Sequence, residues 1–264
     1  MGVKVTVKAE NSVSASALLA ASVAGLSRAN SDKLVKCGEV RLNGVKIRSN
    51  VKLNVGDELT AFVPEAMIRR VDIKVVYEDD NIIVFDKPKH TPFDTVPELV
   101  GKKLFAVHRL DTNTTGLIMF AKTREVQTAL EKAFKDGCVT KVYIAVVSPA
   151  PKKDFDILTS YMRMDRNNTV DVSSAKKPSY KTAITEYRVI EREPNRAVLR
   201  VIPHTGRTHQ IRAQLAFIGC PIVGDFKYGG KALPGGQMLS AVELSLDGLD
   251  GELAYLNGKV FSIN

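Results

Sequence analysis

The chain has 264 residues, long enough to bury a full core as one large domain or two unequal ones, and none of its apolar runs reaches the about 18 residues of a membrane span. A formal net charge of +9 is what a polyanion binder carries, although a well-solvated surface alone accounts for it equally well. Three widely spaced cysteines, Cys37, Cys138 and Cys220, argue against a disulfide framework and for a reducing compartment, the cytoplasm.

The opening GVKVTVKAE alternates Val3, Val5 and Val7 with polar residues, the period of a strand. Residues 13–26, VSASALLAASVAGL, have the look of a secretion signal's apolar core. They follow a largely polar or charged lead, however, and consist mostly of Ala and Ser, so they read as a surface helix with a small-residue face. Ser31 is placed to cap a following helix, in which Leu34 and Val35 precede a stop at Gly38. Asn43-Gly44 then joins two short β-prone runs as a hairpin turn. Arg28, Lys33, Lys36, Arg41, Lys46 and Arg48 decorate this helix and hairpin and would present several cations to phosphates. In LSRANSDKLVKCGEVRLNG and the later VGDEL the segment resembles the S4 RNA-binding module, although the entry helix lacks the usual Arg and Asp before its Leu pair. The boundaries expected are an S4-like α/β domain over 1–66, a linker over 67–71 and a catalytic domain over 72–264.

IKVVYEDDNIIVFDKP reads as two strands around an Asp-Asp-Asn turn, ended by Pro88, and residues 90–100 read as a loop. Thr123 can cap a helix with Val126, Ala129, Leu130, Ala133 and Phe134 on one face and Gly137 closing it. In the next strand, VTKVYIAVV, Lys141, Tyr143 and Ala145 share one face. Residues 149–178 are rich in Lys, Asp, Ser and Asn, and their structure is not legible. TAITEYRVI and AVLRVIP read as paired strands. In HTGRTHQIRAQLAFIG a helix places Ile211, Leu215 and Ile218 on one face and ends at Gly219. Arg212 lies beside that buried stripe, where an unpaired cation is costly and a carboxylate partner is expected. QMLSAVELSL and GKVFSIN close the chain as strands.

Residues 106–122, AVHRLDTNTTGLIMFAK, place Asp111 between Arg109-Leu110 and the apolar run Leu117, Ile118, Met119 and Phe120. Such a carboxylate is expected to be partly buried, and it needs a cation or several donors to stay ionised. A structural turn aspartate paired with Arg109 fits the same pattern, so the residues alone leave both readings open. Tyr143 is likewise either a packing residue or, beside a buried Asp, a platform for a stacked base. His108, His204, His209 and Cys220 match no zinc spacing, and His209 reads as a residue orienting 207–212.

This stretch resembles the HRLDxxTSGLxxFAK signature of the RluA-type pseudouridine synthases, with Thr112 and Thr115 where that family often shows Arg and Ser. TKVYIAVV, with Lys141 and Tyr143, and HTGRTHQIRAQLAFIGCPIVGDFKYGG, with Arg207, His209, Gln210 and Arg212, follow in the family's order. Gln214, Phe217, Cys220 and Ser240 stand where the family usually has histidines. The resemblance implies an α+β catalytic domain on a mixed, largely antiparallel sheet, and an enzyme that isomerises uridine to pseudouridine. That chemistry changes no oxidation state and calls for no cofactor or metal. By the same resemblance Asp111 is the catalytic carboxylate, with Arg212 its ion-pair partner. Tyr143 stacks on the uracil and helps remove the C5 proton, while Arg109 helps fill the space left by a flipped-out nucleotide. The expected partner is structured RNA, ribosomal RNA favoured by the S4-like module and transfer RNA the alternative, with the protein a monomer away from membranes. A non-catalytic RNA-binding or ribosome-assembly protein of the same fold is the reading from another class.

Overall fold

The computed structural model describes residues 2–23, 25–68, 71–165 and 169–263. It divides into two compact units, Met1–Ile73 with Asp94–Phe105, and Lys74–Phe93 with Ala106–Asn264.

The first unit runs β1 (Gly2–Lys8), β2 (Val13–Ser14), α1 (Ala15–Ser22), α2 (Arg28–Cys37), β3 (Val40–Leu42), β4 (Val45–Ile47), β5 (Lys52–Leu53) and β6 (Glu58–Pro64). Its sheet has the order β1-β6-β3-β4, and Leu19, Leu34, Val35, Val40, Leu59 and Val63 fill the core beneath it. Asn43 and Gly44 both have positive φ, 48° and 81°, as a tight hairpin between β3 and β4 requires. The cap of α2 is Ser27 rather than the expected Ser31: the Ser27 side chain accepts from Asn30 N, so the helix starts one turn earlier. Ser31 is buried inside it, its hydroxyl without a hydrogen-bond partner among the described residues. Of the expected linker, Met67 ends a 3-10 turn, while Arg69 and Arg70 lie outside the described residues. Residues 90–100, expected as a loop of the catalytic domain, instead contain α3 (Val96–Val100), whose Val96 is buried. The Glu98 carbonyl accepts from Gly25 N, and residues 94–105 group with the first unit.

The second unit contains β7 (Lys74–Glu78), β8 (Ile82–Lys87), β10 (Thr115–Ala121), α4 (Arg124–Asp136), β11 (Val139–Val147), β12 (Phe155–Met164), β13 (Val170–Ser173), β14 (Lys181–Glu193), β15 (Arg196–Pro203), α5 (Gln210–Phe217), β16 (Leu239–Leu246) and β17 (Val260–Ser262), with β9 (Phe105–Ala106) at its boundary. An 11-stranded sheet has the path β13-β12-β14-β15-β11-β16-β10-β8-β7, with β17 added on β16 and β9 on β10. It is largely antiparallel, and β10 pairs with β16 in parallel. The run Leu117 to Ala121 is wholly buried, which explains its unbroken apolar sequence. Thr123 caps α4 by accepting from Val126 N, and Gly137 ends it in the left-handed conformation. Residues 149–178 hold β12 and β13, whose exposed outer faces left no clear apolar alternation to read. In α5, Ile211 and Leu215 are buried as expected, but Ile218 is exposed because the helix has ended before it.

Across the middle of the sheet Gly116, Ala241 and Tyr143 form one row, since Ala241 pairs with both of the others. The start of β10 and the middle of β11 are thereby held one strand apart. A Cβ on Gly116 would lie 2.0 Å from the Ala241 carbonyl oxygen, and its φ is 102°. Only glycine permits this close approach.

Candidate active site

Asp111 sits in the loop before β10, and its carbonyl accepts from Thr114 N at 3.0 Å. Two buried side chains fix that loop. Gln237 Nε2 donates to Thr114 Oγ1 at 2.8 Å. Lys87, fully buried at the end of β8, donates to the carbonyls of Pro88, Thr91 and Thr112 at 3.1, 2.9 and 3.2 Å. Burial lowers the Lys87 pKa to about 8, against the pull of Asp111 and Asp86 toward the charged form. Lys87 at neutral pH is thus a cation whose hydrogen bonds and nearby carboxylates stand in for water.

The Asp111 side chain is 16% exposed, and its Oδ2 accepts from Arg212 Nη1 at 2.7 Å. Arg212 turns its other edge to Asp225, with Nε to Oδ2 at 2.7 Å and Nη2 to Oδ1 at 2.8 Å. Burial works against the charge on Arg212, but its bonds to Asp225 and Asp111 outweigh that and push its pKa up. The ring of Tyr228 lies 5.0 Å from the same guanidinium. The Tyr228 hydroxyl accepts from Val170 N and has its own proton to give to His209 Nδ1 at 2.8 Å. That arrangement leaves the proton of a neutral His209 on Nε2, 3.9 Å from Asp111 Oδ1. Burial lowers the His209 pKa despite the nearby Asp111 charge, which keeps the ring neutral at neutral pH. His209 itself is held at a φ of 54°, in the left-handed region, at the entry to α5.

Two buried glutamines brace α5 against the sheet. Gln210 donates to the Ile184 carbonyl and to Thr185 Oγ1, and accepts from Arg207 N and Thr205 Oγ1. Gln214 accepts from Thr185 Oγ1 at 2.6 Å and donates toward the Leu158 and Ala183 carbonyls and Ser160 Oγ. The glutamine that replaces a family histidine is thus a fully bonded core group.

Asp111, Arg212, Tyr143 and Arg109 all line one cleft of about 620 Å³. Tyr143 is buried, and both burial and the charge of Asp111 raise its pKa, so it faces the cleft as a neutral phenol. Arg109 is exposed at the cleft wall with its guanidinium 5.8 Å from the Phe93 ring, and Asp111 is paired with Arg212 rather than with Arg109. The other six residues singled out in the sequence belong to the first unit. Arg28 donates to Ser16 and Ser14, and Lys33, Lys36, Arg41, Lys46 and Arg48 are exposed. Sequence reasoning missed Lys87, Asp225, Tyr228 and Gln237. Asp225 and Tyr228 stand in the quoted stretch GDFKYGG, where a lone carboxylate among glycines was a usable sign. Among the described residues no group of three or more His, Cys, Asp or Glu is placed to hold a metal ion, and no helix is long and apolar enough to cross a membrane.

Chemically, the cleft offers one carboxylate with a fixed counterion, a phenol in the same lining and room for a ring system. Comparison with known proteins agrees. Residues 81–217 match the family model for RNA pseudouridylate synthase. An uncharacterised RNA pseudouridine synthase of Bacillus subtilis is 30% identical over 84% of this chain and 81% of that one. Ribosomal large subunit pseudouridine synthase D of Haemophilus influenzae is 37% identical over 71% of this chain, and the match spans 60% of that relative. The solved structure of human RNA pseudouridylate synthase domain containing 1 superposes with a TM-score of 0.60 at 23% identity, over 66% of this chain and 78% of that one, a likeness of fold. With a half-buried carboxylate, its arginine and the matched signature all in one cleft, the chain belongs to the RNA pseudouridylate synthase family, and within it to the RluA-type isomerases that make pseudouridine in RNA.

Proposed function

We propose that this synthase acts on ribosomal RNA, with Asp111 as its catalytic carboxylate on a uridine flipped out of its helix. The observation that carries the reading is the 2.7 Å pair between Asp111 and Arg212 at the floor of the cleft. It holds a partly desolvated acid in place against a counterion, for attack on the nucleotide or for taking a proton from its ribose. The isomerisation breaks the N1–C1′ bond, turns the base, forms C5–C1′, gives up the C5 proton and takes a proton up at the freed N1, with no net redox change. Tyr143 supports the uracil face, and its raised pKa fits it to stack and donate rather than to act as a phenolate base. Arg109, exposed beside the cleft, supports the emptied stack. The S4-like first unit supplies sequence-independent cations for the same RNA. The relatives named for the large ribosomal subunit favour ribosomal over transfer RNA.

Pseudouridine mapping of total RNA from cells with and without the gene tests this. We expect one or more ribosomal sites to lose the modification, and Asp111→Asn to fail to restore them. An unchanged profile, or restoration at the normal rate by Asp111→Asn, overturns it.

A further inference from the structure

Resting on the RNA-directed reading of the cleft, we infer that Lys141 is the anchor for a backbone phosphate next to the target nucleotide. Lys141 lies two positions before Tyr143 on β11, about 7 Å away along the strand across a register irregularity at Val142 and Tyr143, and both line the cleft. That separation is about one nucleotide. A base stacked on Tyr143 with its ribose at Asp111 therefore brings a flanking phosphodiester toward Lys141.

The surroundings of Lys141 lack the anion that a withdrawn cation needs. Its ammonium lies 5.6 Å from the centre of the Phe134 ring, and among the described residues it has no hydrogen bond and no carboxylate partner. Burial alone shifts its pKa, downward. Its neighbour His108 stacks on the same Phe134 ring at 4.7 Å and is neutral, so it contributes no negative charge. Lys87 shows the contrast, for there the protein supplies three carbonyls to a buried ammonium. Lys135, Gly137 and Thr140 complete this end of the cleft, leaving it basic and small-sided. A cation kept partly dry, beside an aromatic ring and open to a cleft, is arranged for an incoming anion.

The test uses the full chain and RNA from cells lacking the gene. Wild type, Lys141→Met and Lys141→Arg are compared for turnover and for binding of a large-subunit ribosomal RNA transcript across a salt series. Lys141→Met keeps the aliphatic stem and removes the charge. It should raise KM several-fold more than it lowers kcat, and make the slope of log Kd against log salt shallower by about 0.7–0.9, the share of one phosphate contact. Lys141→Arg should recover the wild-type slope. Because the ammonium has no hydrogen bond or carboxylate partner among the described residues, only its contact with the Phe134 ring, the melting temperature of Lys141→Met should fall little. A wild-type slope and KM in Lys141→Met overturn the inference, as does a loss confined to thermal stability. If wild type itself makes no pseudouridine in this RNA, the functional reading fails first and the phosphate site falls with it.

Discussion

Arg212 and Asp225 meet through two parallel hydrogen bonds, 2.7 and 2.8 Å long, with the carboxylate almost wholly shielded from solvent. This fork sets the plane of the guanidinium, so its remaining edge can point only one way, at Asp111. Asp225 therefore positions Asp111 through Arg212 and is not itself among the residues lining the cleft. Asp225→Asn should cost about 3–5 kcal/mol in stability, as breaking a buried pair does. It should also lower kcat by about 10- to 100-fold through misplacement of Arg212. Denaturant unfolding and steady-state turnover measure the two effects separately, and a kcat within twofold of wild type would argue against the positioning role.

Lys87 is the second support. Lys87→Met removes the donor from three backbone carbonyls, that of Thr112 directly after the acid among them. We expect a stability loss of about 1–3 kcal/mol or more, the cost of leaving buried acceptors unpaired. The loop carrying Asp111 should also lose order. Hydrogen exchange at Thr114 N, whose bond closes the loop on the Asp111 carbonyl, should speed up well before global unfolding does.

Two glycines with positive φ make a matched pair. At Gly137 a Cβ meets nothing within 4 Å, so Gly137→Ala should cost only the left-handed strain of about 1–2 kcal/mol. At Gly116 the same atom would overlap the Ala241 carbonyl and force β10 away from β16. Gly116→Ala should cost about 4 kcal/mol or more and remove activity. Melting temperatures of the two proteins, side by side, decide whether the close strand contact has this weight.

His108 makes stability depend on pH. Its Nε2 accepts from Met119 N, its Nδ1 is buried without a partner among the described residues, and burial lowers its pKa from 6.5 to about 3. The unfolded chain therefore takes up this proton first as pH falls. The contribution to stability is complete above pH 6.5 and declines by about 1.4 kcal/mol per unit between there and about 3. His108→Gln retains an acceptor for Met119 N and does not titrate. Its stability relative to wild type should rise steadily from pH 6.5 to 4.5, and parallel curves for the two proteins would rule the linkage out.

Much of the sheet was readable because strands with one solvated face alternate, as β1, β11, β14 and β15 do. β10 was readable for the opposite reason, its unbroken apolar run. Arg212 was tied to a carboxylate in advance, since a cation beside the Ile211 and Leu215 stripe had to find one. That Asp225 would be a second such partner was not legible, because the two meet through a turn whose path no local pattern sets. Lys87 directly precedes the Pro88 that ends its strand, and only the tertiary fold shows that its tip turns inward to carbonyls. Ser27 and Ser31 lie one helical turn apart and fit a cap equally well by type, so local chemistry alone did not separate them.

The placement of β16 between β10 and β11 has a consequence for synthesis. The strands that lead to the acid and carry the phenol emerge early, yet the piece that joins them is translated about a hundred residues later. Until the ribosome has delivered Leu239–Leu246, those two strands have no common neighbour, and nothing yet fixes the spacing between the loop of Asp111 and Tyr143.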